Sequence, residues 1–364
     1  MYNVARVRDH AEAFGAAVEQ AEPFAPLMVK LKLTWRCNLA CGMCEWKQDH
    51  STLLTAELAA CTLDELAAIG CRKIHFSGGE PTLRPDLPDL IAHAHHRGLR
   101  VTLTTNGTLV TRELARQLVK AGLNSVCVSI DSPIRSVHDR IRGVEGAFKQ
   151  TIAGVRALRY TAERRNRRLP IQINTVVCRD NYDTLDRLPV LAHMLGAQHI
   201  LLMPVDDPTD TLRLNKRRLL DYNRRIAPAL AAQAMSLGLM RRPGEAYPFG
   251  KTRDELAASR NGHYARGLYR HQPCYAVWTH ALITADALVT PCCSAPRIIL
   301  GDLRESSFAD IWQGTAYRHL RETMRNGQPL PECLTCDTFL AENRTLHHIY
   351  LNRQDPKNAK NFIL

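Results

Sequence analysis

Short apolar runs alternate with longer amphipathic stretches along residues 28–204. The apolar runs are rich in β-branched residues and have the length of buried strands, while the stretches between them repeat apolar residues at helical spacing. This pattern predicts strands at 28–34, 73–77, 100–104, 125–130, 170–177 and 199–203. It predicts helices between them at 55–69, 86–97, 111–121, 145–160 and 184–195.

Each predicted strand is followed by a helix-length connection. Parallel strands need such connections, whereas antiparallel strands can be joined by tight turns. Six repeated βα units therefore predict an α/β fold, a partial (β/α)6 TIM-like barrel with a parallel sheet. In barrels of this kind the reactive groups lie at the carboxyl ends of the strands, so motifs that follow a strand are candidates for chemistry.

The alternation stops after residue 204, where a long helical stretch leads into a segment punctuated by glycine and proline. We predict an N-terminal extension at 1–27, the barrel at 28–240, a linker at 241–270, a small C-terminal domain at 271–340 and a tail at 341–364. A hairpin is expected around Ala285 and Asp286, followed by a helix at 308–324.

The charge balance narrows the set of partners. The 364 residues carry 48 Lys and Arg against 36 Asp and Glu, a net charge of +12 that favours anionic partners. Neither a signal peptide nor an apolar run of membrane-spanning length is present, so we expect a cytoplasmic protein with no membrane partner. The arginine-rich loop at 164–168 lies on the barrel face opposite the chemistry, so a nucleic-acid partner is not expected.

Twelve cysteines in a chain without an export signal favour metal binding or catalysis over disulfides. Cys37, Cys41 and Cys44 form a C-x3-C-x2-C motif directly after the first strand. Three thiolates are an incomplete ligand set for a cubane iron–sulfur cluster, and they leave one iron open for another ligand. The alternatives are a zinc knuckle that lacks a fourth ligand, or separate thiols of the core.

The sequence Ser77-Gly78-Gly79-Glu80-Pro81 ends the second predicted strand. This motif and the cysteine motif together resemble the radical S-adenosylmethionine (SAM) superfamily over residues 28–205. The resemblance implies that the three cysteines hold a [4Fe–4S] cluster and that Gly78, Gly79 and Glu80 contact the methionine part of SAM. The further SAM contacts that it implies are Thr105, Asn106, Ser129, Asp131, Arg142, Asn174 and Met203. Ordinary turn and cap chemistry is the alternative for Asn106, Ser129 and Asp131.

A second set of cysteines follows the barrel. Cys274, Cys292, Cys333 and Cys336 give a C-x17-C-x40-C-x2-C pattern, which supplies four thiolates for a tetrahedral metal or for all corners of a cubane. The pattern resembles the twitch domain, the short relative of the SPASM domain, and the resemblance implies an auxiliary [4Fe–4S] cluster. A structural zinc ribbon is the alternative, and Cys293 is an alternative ligand to Cys292.

The resemblance implies a radical SAM enzyme with two [4Fe–4S] clusters and SAM as cofactors. Electron transfer from the first cluster cleaves SAM to a 5′-deoxyadenosyl radical, which abstracts hydrogen from the substrate. The net positive charge leads us to expect a small anionic metabolite as substrate, and a flavodoxin- or ferredoxin-type protein as electron donor. Pathways that make natural products are the expected setting.

Two outcomes of hydrogen abstraction remain open. In dehydrogenation the auxiliary cluster accepts the substrate electron, whereas in epimerisation a thiol returns a hydrogen atom, and Cys178 at the end of the fifth strand is the candidate donor. The alternative function is a maturase that modifies a ribosomally made peptide. We place it second because only 27 residues precede the first strand, where maturases commonly carry a leader-binding domain. A zinc-binding nucleic-acid protein fits least, because it leaves the barrel motifs unexplained.

Overall fold

The computed structural model describes residues 4–44, 53–207 and 209–353. Within these ranges the strands are β1 Met28–Lys32, β2 Lys73–Ser77, β3 Arg100–Thr105, β4 Ser125–Ser129, β5 Ile171–Val177, β6 His199–Pro204, β7 His280–Ile283, β8 Leu288–Thr290 and β9 Gly301–Asp302. All six strands predicted for the barrel are present, and the C-terminal part of the chain adds β7, β8 and β9.

The helices of the same ranges connect and cover these strands. They are α1 Ala5–Asp9, α2 Ala11–Gln20, α3 Ala56–Ala68, α4 Leu87–His96, α5 Arg112–Lys120, α6 Arg135–Arg142, α7 Ala147–Arg164, α8 Leu188–Met194, α9 Lys216–Asp221, α10 Ala227–Ser236, α11 Arg253–Arg260, α12 Ala276–Thr279, α13 Phe308–Gln313, α14 Thr315–Arg325 and α15 Leu340–Leu351. None of the helices in the described ranges has both the length and the apolar character needed to cross a membrane.

The first six strands form one parallel sheet in the spatial order β6-β5-β4-β3-β2-β1. Leu31 on β1 is paired in register with Phe76 on β2, and Val126 on β4 with Ile171 on β5. The predicted parallel α/β barrel sheet is thereby confirmed. Its carboxyl edge brings together the loops that follow β1, β2, β3 and β4, which carry most of the motifs found in the sequence.

The two faces of the sheet differ in polarity because successive strand residues point to opposite sides. On β1, Val29 and Leu31 have no exposed surface and pack in the core beneath the helices. Lys30 and Lys32 alternate with them and lie on the other face. On that same face His75 Nε2 lies 2.8 Å from Thr104 Oγ1. The inner face of the barrel is therefore polar and carries positive charge.

The C-terminal part of the chain extends the barrel sheet. β7 pairs in parallel with β1, and β8 then pairs in antiparallel fashion with β7, so the sheet in the described chain has nine strands. The hairpin predicted around Ala285 and Asp286 is confirmed, with Ala287 in the left-handed region at a φ of 66°. This pairing places the segment that contains the second set of cysteines beside β1, the strand that leads into the first set.

The N-terminal helices pack against the C-terminal part of the chain. Phe14 of α2 is fully buried, with its ring centroid 5.6 Å from that of Tyr275, and Trp278 Nε1 donates to the carbonyl of Ala17 at 3.2 Å. Leu346 of α15 joins the same buried cluster. The predicted domain boundaries at 27 and 340 stay predictions, and contacts cross both of them. Residues 1–3 of the predicted extension and 354–364 of the predicted tail lie outside the described residues.

Two local differences from the sequence expectation have physical causes. The helix predicted at 308–324 is divided into α13 and α14 at Gly314, whose ψ of 168° is extended. Glycine is a poor helix former, so the chain can turn there at low cost. α6 was not among the predicted helices, and tertiary contacts bury Ile141 and Arg142 at its end.

We expect Phe14→Ala to destabilise the protein by about 3–5 kcal/mol, because it removes a fully buried aromatic ring from the contact between α2 and the C-terminal segment. The midpoint of urea-induced unfolding measures the change. Glu12→Ala, at an exposed position of the same helix, is the matched control and should change stability by less than about 0.5 kcal/mol. Equal midpoints for the two variants would contradict this packing role.

Candidate active site and metal centres

The first cysteine loop leaves β1 at the carboxyl edge of the sheet. Cys37 and Cys41 are partly buried and Cys44 is exposed. The backbone N–H of Leu39 donates to Cys37 Sγ at 3.5 Å. Burial raises the pKa of the Cys37 thiol, and the nearby charges of Cys41 and Cys44 raise it further. The three thiols therefore lie close enough to affect each other, and a cation that binds them would relieve the cost of ionisation.

Gly78 and Gly79 allow the β2 loop to approach the segment before the cysteines. A Cβ atom on Gly79 would lie 2.2 Å from the carbonyl oxygen of Arg36, and one on Gly78 would lie 2.5 Å from that of Thr34. Gly78 also has a φ of +149°, which side chains rarely adopt. The N–H of Gly79 donates to Thr34 O at 2.6 Å. Glycine at both positions is thus needed to hold the backbone that leads to Cys37.

The Glu80 carboxylate is the centre of a buried hydrogen-bond network. Its Oε1 accepts from the Thr82 N–H at 3.1 Å and from the hydroxyls of Thr82 and Thr105, each at 2.6 Å. Its Oε2 accepts from the Asn106 N–H at 2.7 Å. These donors are neutral, and burial raises the pKa of Glu80. A buried carboxylate surrounded by neutral donors suits a cationic ligand group such as the SAM ammonium.

Asn106 connects the end of β3 to the cysteine loop. Its Nδ2 donates to Asn38 Oδ1 at 2.9 Å, and its Oδ1 accepts from the N–H and the hydroxyl of Thr108 at 2.9 and 2.7 Å. Asn38 in turn donates to the Thr108 hydroxyl at 2.8 Å. The side chain that the sequence proposed as a SAM contact therefore also positions the loop that carries Cys37.

Asp131 and Arg142, proposed separately from the sequence, meet as a buried ion pair. Arg142 Nε lies 2.8 Å from Asp131 Oδ2, and Arg142 Nη1 donates to Cys41 Sγ at 3.8 Å. The end of α6 reaches the cysteine loop because the Arg142 carbonyl accepts from the Ala40 N–H at 3.0 Å. The pair thus holds a positive charge against a thiol of the first site.

The remaining proposed SAM contacts lie on the inner face of the sheet. Ser129, Asn174 and Met203 are each partly exposed, on β4, β5 and β6 respectively. Ser129 and Asn174 are register partners, and Asn174 Oδ1 accepts from Gln172 Nε2 at 2.7 Å. Their roles in binding SAM stay predictions.

Cys178 directly follows β5 and lies in a small apolar cluster that also contains Met43 of the first cysteine loop. It is 1% exposed and packs with Ile141 and Val205, and its N–H donates to Asn181 Oδ1 at 2.8 Å. Burial raises the pKa of its thiol to about 11. This is the environment of a packing residue, and a role for Cys178 as hydrogen donor stays a prediction.

Four cysteines converge in the C-terminal part of the chain. Burial raises the pKa of Cys274 and Cys292, that of Cys333 to about 12 and that of Cys336 to about 11. For Cys274, Cys292 and Cys333, the charges of other members of the set raise the pKa further. Buried thiols that raise one another's pKa fit a shared positively charged ligand.

Neighbouring Cys292 and Cys293 face different surroundings. The Cys292 thiol interacts with the charges of Cys274 and Cys336, whereas Cys293 Sγ accepts from Lys30 Nζ at 3.4 Å on the inner face of the barrel. This arrangement favours Cys292 as the ligand. The sequence analysis did not identify the lysines of β1 as site residues. Their alternation with apolar residues could have indicated that they point to the inner face of the sheet.

The donor chemistry of both sites fits iron–sulfur clusters. In the described part of the chain, no three His, Cys, Asp or Glu side chains are placed to hold a single metal ion. The cysteines of a cubane bind separate irons, so they lie farther apart than the ligands of a single metal ion. The absence of a single-ion site is therefore compatible with a cluster. Three thiols that leave an iron open, beside a buried carboxylate with neutral donors, match a cluster that binds an exogenous amino acid group.

Comparisons with known proteins agree with this geometry. Residues 31–162 match the model of the radical SAM superfamily, and residues 274–337 match that of the SPASM iron–sulfur cluster-binding domain. An AdoMet-dependent heme synthase of Methanosarcina barkeri is 31% identical over 314 residues, covering 82% of this chain and 85% of the relative.

A PqqA peptide cyclase of Ruegeria pomeroyi is 31% identical over 335 residues, which cover 89% of this chain and 82% of the relative. The chain belongs to the radical SAM superfamily. The crystal structure of Streptococcus suis SuiB bound to S-adenosylmethionine has the same fold, with a TM-score of 0.65 at 16% identity over 92% of this chain and 78% of that one. The cofactors of this radical SAM enzyme are SAM and two [4Fe–4S] clusters.

The assignment of the seven cysteines predicts the iron content of this radical SAM enzyme. After anaerobic reconstitution we expect about eight iron atoms per chain, and about four when Cys37, Cys41 and Cys44 are all changed to alanine. Metal analysis of the purified proteins measures both values. Cys61→Ala is the matched control, because that exposed thiol lies on α3 away from both sites. Zinc at the C-terminal site would contradict the assignment.

The surroundings of Glu80 predict its role in SAM binding. Glu80→Gln keeps the shape of the side chain but removes the charge that would hold an ammonium group. We expect SAM to bind about tenfold to a hundredfold more weakly while the iron content is unchanged, since a hydrogen bond to a charged group contributes about 1.5–3 kcal/mol. Equilibrium binding measures the change. Glu65→Gln, which alters a carboxylate that accepts from the Phe308 N–H, is the control. Equal SAM affinity for both variants would refute the role of Glu80.

Proposed function

We propose that this radical SAM enzyme oxidises a ribosomally made peptide that carries an acidic group. The observation that carries the proposal is the similarity to the PqqA peptide cyclase of Ruegeria pomeroyi, which extends over 89% of this chain. The sequence analysis placed a peptide substrate second to a small metabolite. Similarity along most of the chain supports reversing that order.

The inner face of the barrel supports an acidic group on the substrate. Lys30 and Lys32 lie on this face of β1, between the two cysteine sites. Lys30 Nζ contacts Cys293 Sγ at 3.4 Å. Burial holds the pKa of the Lys32 amine well below its usual value, and the charge of Lys30 lowers it further, whereas the charges of Cys293 and Cys44 raise it. A carboxylate bound beside the two amines would offset their repulsion and favour the protonated form of Lys32. Such a carboxylate would hold a substrate near the carboxyl edge of the sheet.

The four-cysteine site supports oxidation as the outcome. When bound, SAM with the first cluster supplies a hydrogen-abstracting radical, and the auxiliary cluster supplies an electron acceptor. The substrate then loses one hydrogen atom, one proton and one electron, so that the product is two hydrogens lighter. A site with four cysteines leaves no iron for the substrate, whereas electron acceptance needs no open position.

The residues of this chain have distinct parts in the proposed reaction. Glu80 holds the SAM ammonium, and Gly79 holds the backbone that leads into the cysteine loop. The Arg142 guanidinium, paired with Asp131, stands beside Cys41. Lys30 orients the acidic group of the substrate.

A small carboxylated metabolite is the second candidate substrate. The AdoMet-dependent heme synthase of Methanosarcina barkeri supports it, because that relative matches 82% of this chain at the same identity as the peptide cyclase. The lysines of β1 suit a carboxylate on either kind of molecule. The two candidates differ in one testable property, which is the sensitivity of the substrate to proteases.

The test uses the reconstituted enzyme with SAM and dithionite. It is incubated anaerobically with the small-molecule and peptide fraction of an extract of the source cells, before and after digestion by an immobilised protease. We expect the fraction to increase the release of 5′-deoxyadenosine, and digestion to abolish that increase. A peptide two hydrogens lighter should appear in the mass spectrum. An increase that survives digestion would instead support the small carboxylated metabolite.

A lysine variant tests the acidic group in the same assay. Lys30→Met should reduce the stimulated release of 5′-deoxyadenosine about tenfold, because a charge-assisted hydrogen bond to the substrate is lost. Lys120→Met, at an exposed position on α5, is the matched control. The release measured without extract should be the same in both variants. A stimulated rate equal to that of the control would contradict the proposed role of Lys30.

A further inference from the structure

A buried tyrosine hydroxyl lies against the second set of cysteines. Tyr269 belongs to the 3₁₀ turn Leu268–Arg270, and its side chain is buried. Its hydroxyl is 3.9 Å from Cys336 Sγ and also interacts with Cys274. The sequence offered no signal for this residue, which lies in the segment expected to be a linker.

The amide of Asn343 fixes the direction of the hydrogen bonds at this hydroxyl. Asn343 lies on α15 and has no exposed surface. Its Oδ1 accepts from the Tyr275 N–H at 2.6 Å, so its Nδ2 is the group that faces the cysteines. Nδ2 donates to Phe339 O at 2.9 Å, and it lies 3.2 Å from the Tyr269 oxygen and 3.8 Å from Cys274 Sγ.

The count of donors and acceptors then determines where the Tyr269 hydroxyl hydrogen points. An amide NH2 group can only donate, so the Tyr269 oxygen is the acceptor of the contact with Asn343. The hydroxyl hydrogen must point elsewhere, and the remaining acceptors at hydrogen-bond distance in the described chain are cysteine sulfurs. A phenol keeps this hydrogen at neutral pH.

We propose that Tyr269, oriented by Asn343, donates a hydrogen bond to the thiolate ligands of the auxiliary cluster and so raises the reduction potential of that cluster. Reduction adds negative charge to the cluster, and a hydrogen bond to a ligand sulfur stabilises the more negative state. Both side chains are positioning residues, because they act through Cys336 and Cys274. The inference rests on the proposed assignment of the cysteine ligands.

This arrangement deepens the proposed function. An auxiliary cluster that accepts an electron from the substrate must have a potential high enough for that electron to stay. Tyr269 supplies a polar hydrogen to the ligand sulfurs, and Asn343 orients it by donating to the tyrosine oxygen. The C-terminal helix α15 thus influences the proposed electron acceptor through the side-chain amide of Asn343.

The experiment measures the potential of the auxiliary cluster alone. The parent is the protein with Cys37, Cys41 and Cys44 changed to alanine, reconstituted anaerobically and titrated with dithionite while the reduced cluster is followed by electron paramagnetic resonance. Adding Tyr269→Phe should lower the midpoint potential. We expect up to a tenfold change in the ratio of reduced to oxidised cluster, which is about 59 mV for one electron.

Tyr264→Phe in the same parent is the matched control. Tyr264 is also buried, but its hydroxyl donates to the carbonyl of Val205 at 2.7 Å and not to a cysteine. This control removes the same hydroxyl from the same segment and should leave the potential unchanged. Equal potentials in the Tyr269 and Tyr264 variants would overturn the inference. A parent that shows no iron–sulfur signal would instead refute the ligand assignment.

A second measurement covers the case in which Tyr269→Phe does not retain its cluster. Electron–nuclear double resonance on the reduced parent, in H2O and in D2O, detects exchangeable hydrogens near the cluster. We expect a hydrogen coupling that disappears in D2O, as a hydroxyl bonded to a ligand sulfur requires. Absence of any exchangeable coupling in the parent would overturn the inference independently of the variant.

Discussion

The close approach between the β2 loop and the backbone that leaves β1 is the constraint on which the first site depends. The N–H groups of Gly79 and Glu80 donate to the carbonyls of Thr34 and Arg36 at 2.6 and 2.8 Å. This contact exists only because neither position 78 nor position 79 carries a side chain. It fixes where the chain begins the cysteine loop, and therefore where an open iron stands relative to the buried Glu80 carboxylate.

The pairing of β7 with β1 has a similar importance for the second site. Because β7 continues the barrel sheet, the auxiliary cysteines are attached to the same rigid layer that carries Cys37. The inner face of β1 lies between the two sites and presents Lys30 and Lys32. The pairing of β7 with β1 thus connects the segments that carry the two sets of cysteines through a single sheet.

Buried acidic groups whose pKa is raised by burial are a common feature of both sites. The thiols of the C-terminal set have raised pKa values, and Glu80 is a buried carboxylate whose donors are neutral. Such groups cost stability until a cation arrives, so binding of the clusters and of SAM should stabilise the fold. The packing of α2 and α15 around Tyr275 and Asn343 stabilises the C-terminal segment, which contains the buried thiols.

Much of the barrel could be predicted from local sequence. The alternation of strands and helices, the hairpin after β7 and the first cysteine motif depend on residues close together in the chain. The ends of parallel strands meet at one edge whatever the details of packing, so the loop with Cys37 and the loop with Glu80 could be placed together without a structure. The resemblance to the radical SAM superfamily then implied that SAM and two [4Fe–4S] clusters are the cofactors.

Contacts between distant segments could not be predicted in this way. The choice of Cys292 over Cys293, the ion pair of Asp131 with Arg142, and the contact of Asn343 with Cys274 each join segments whose separation in sequence carries no periodic signal. Side-chain direction at such contacts is set by packing and by the demand that buried donors find acceptors. The order of residues along the chain sets which chemical groups follow each strand. Which of these groups touch depends on the folded chain, because desolvation and hydrogen-bond satisfaction act on the assembled fold.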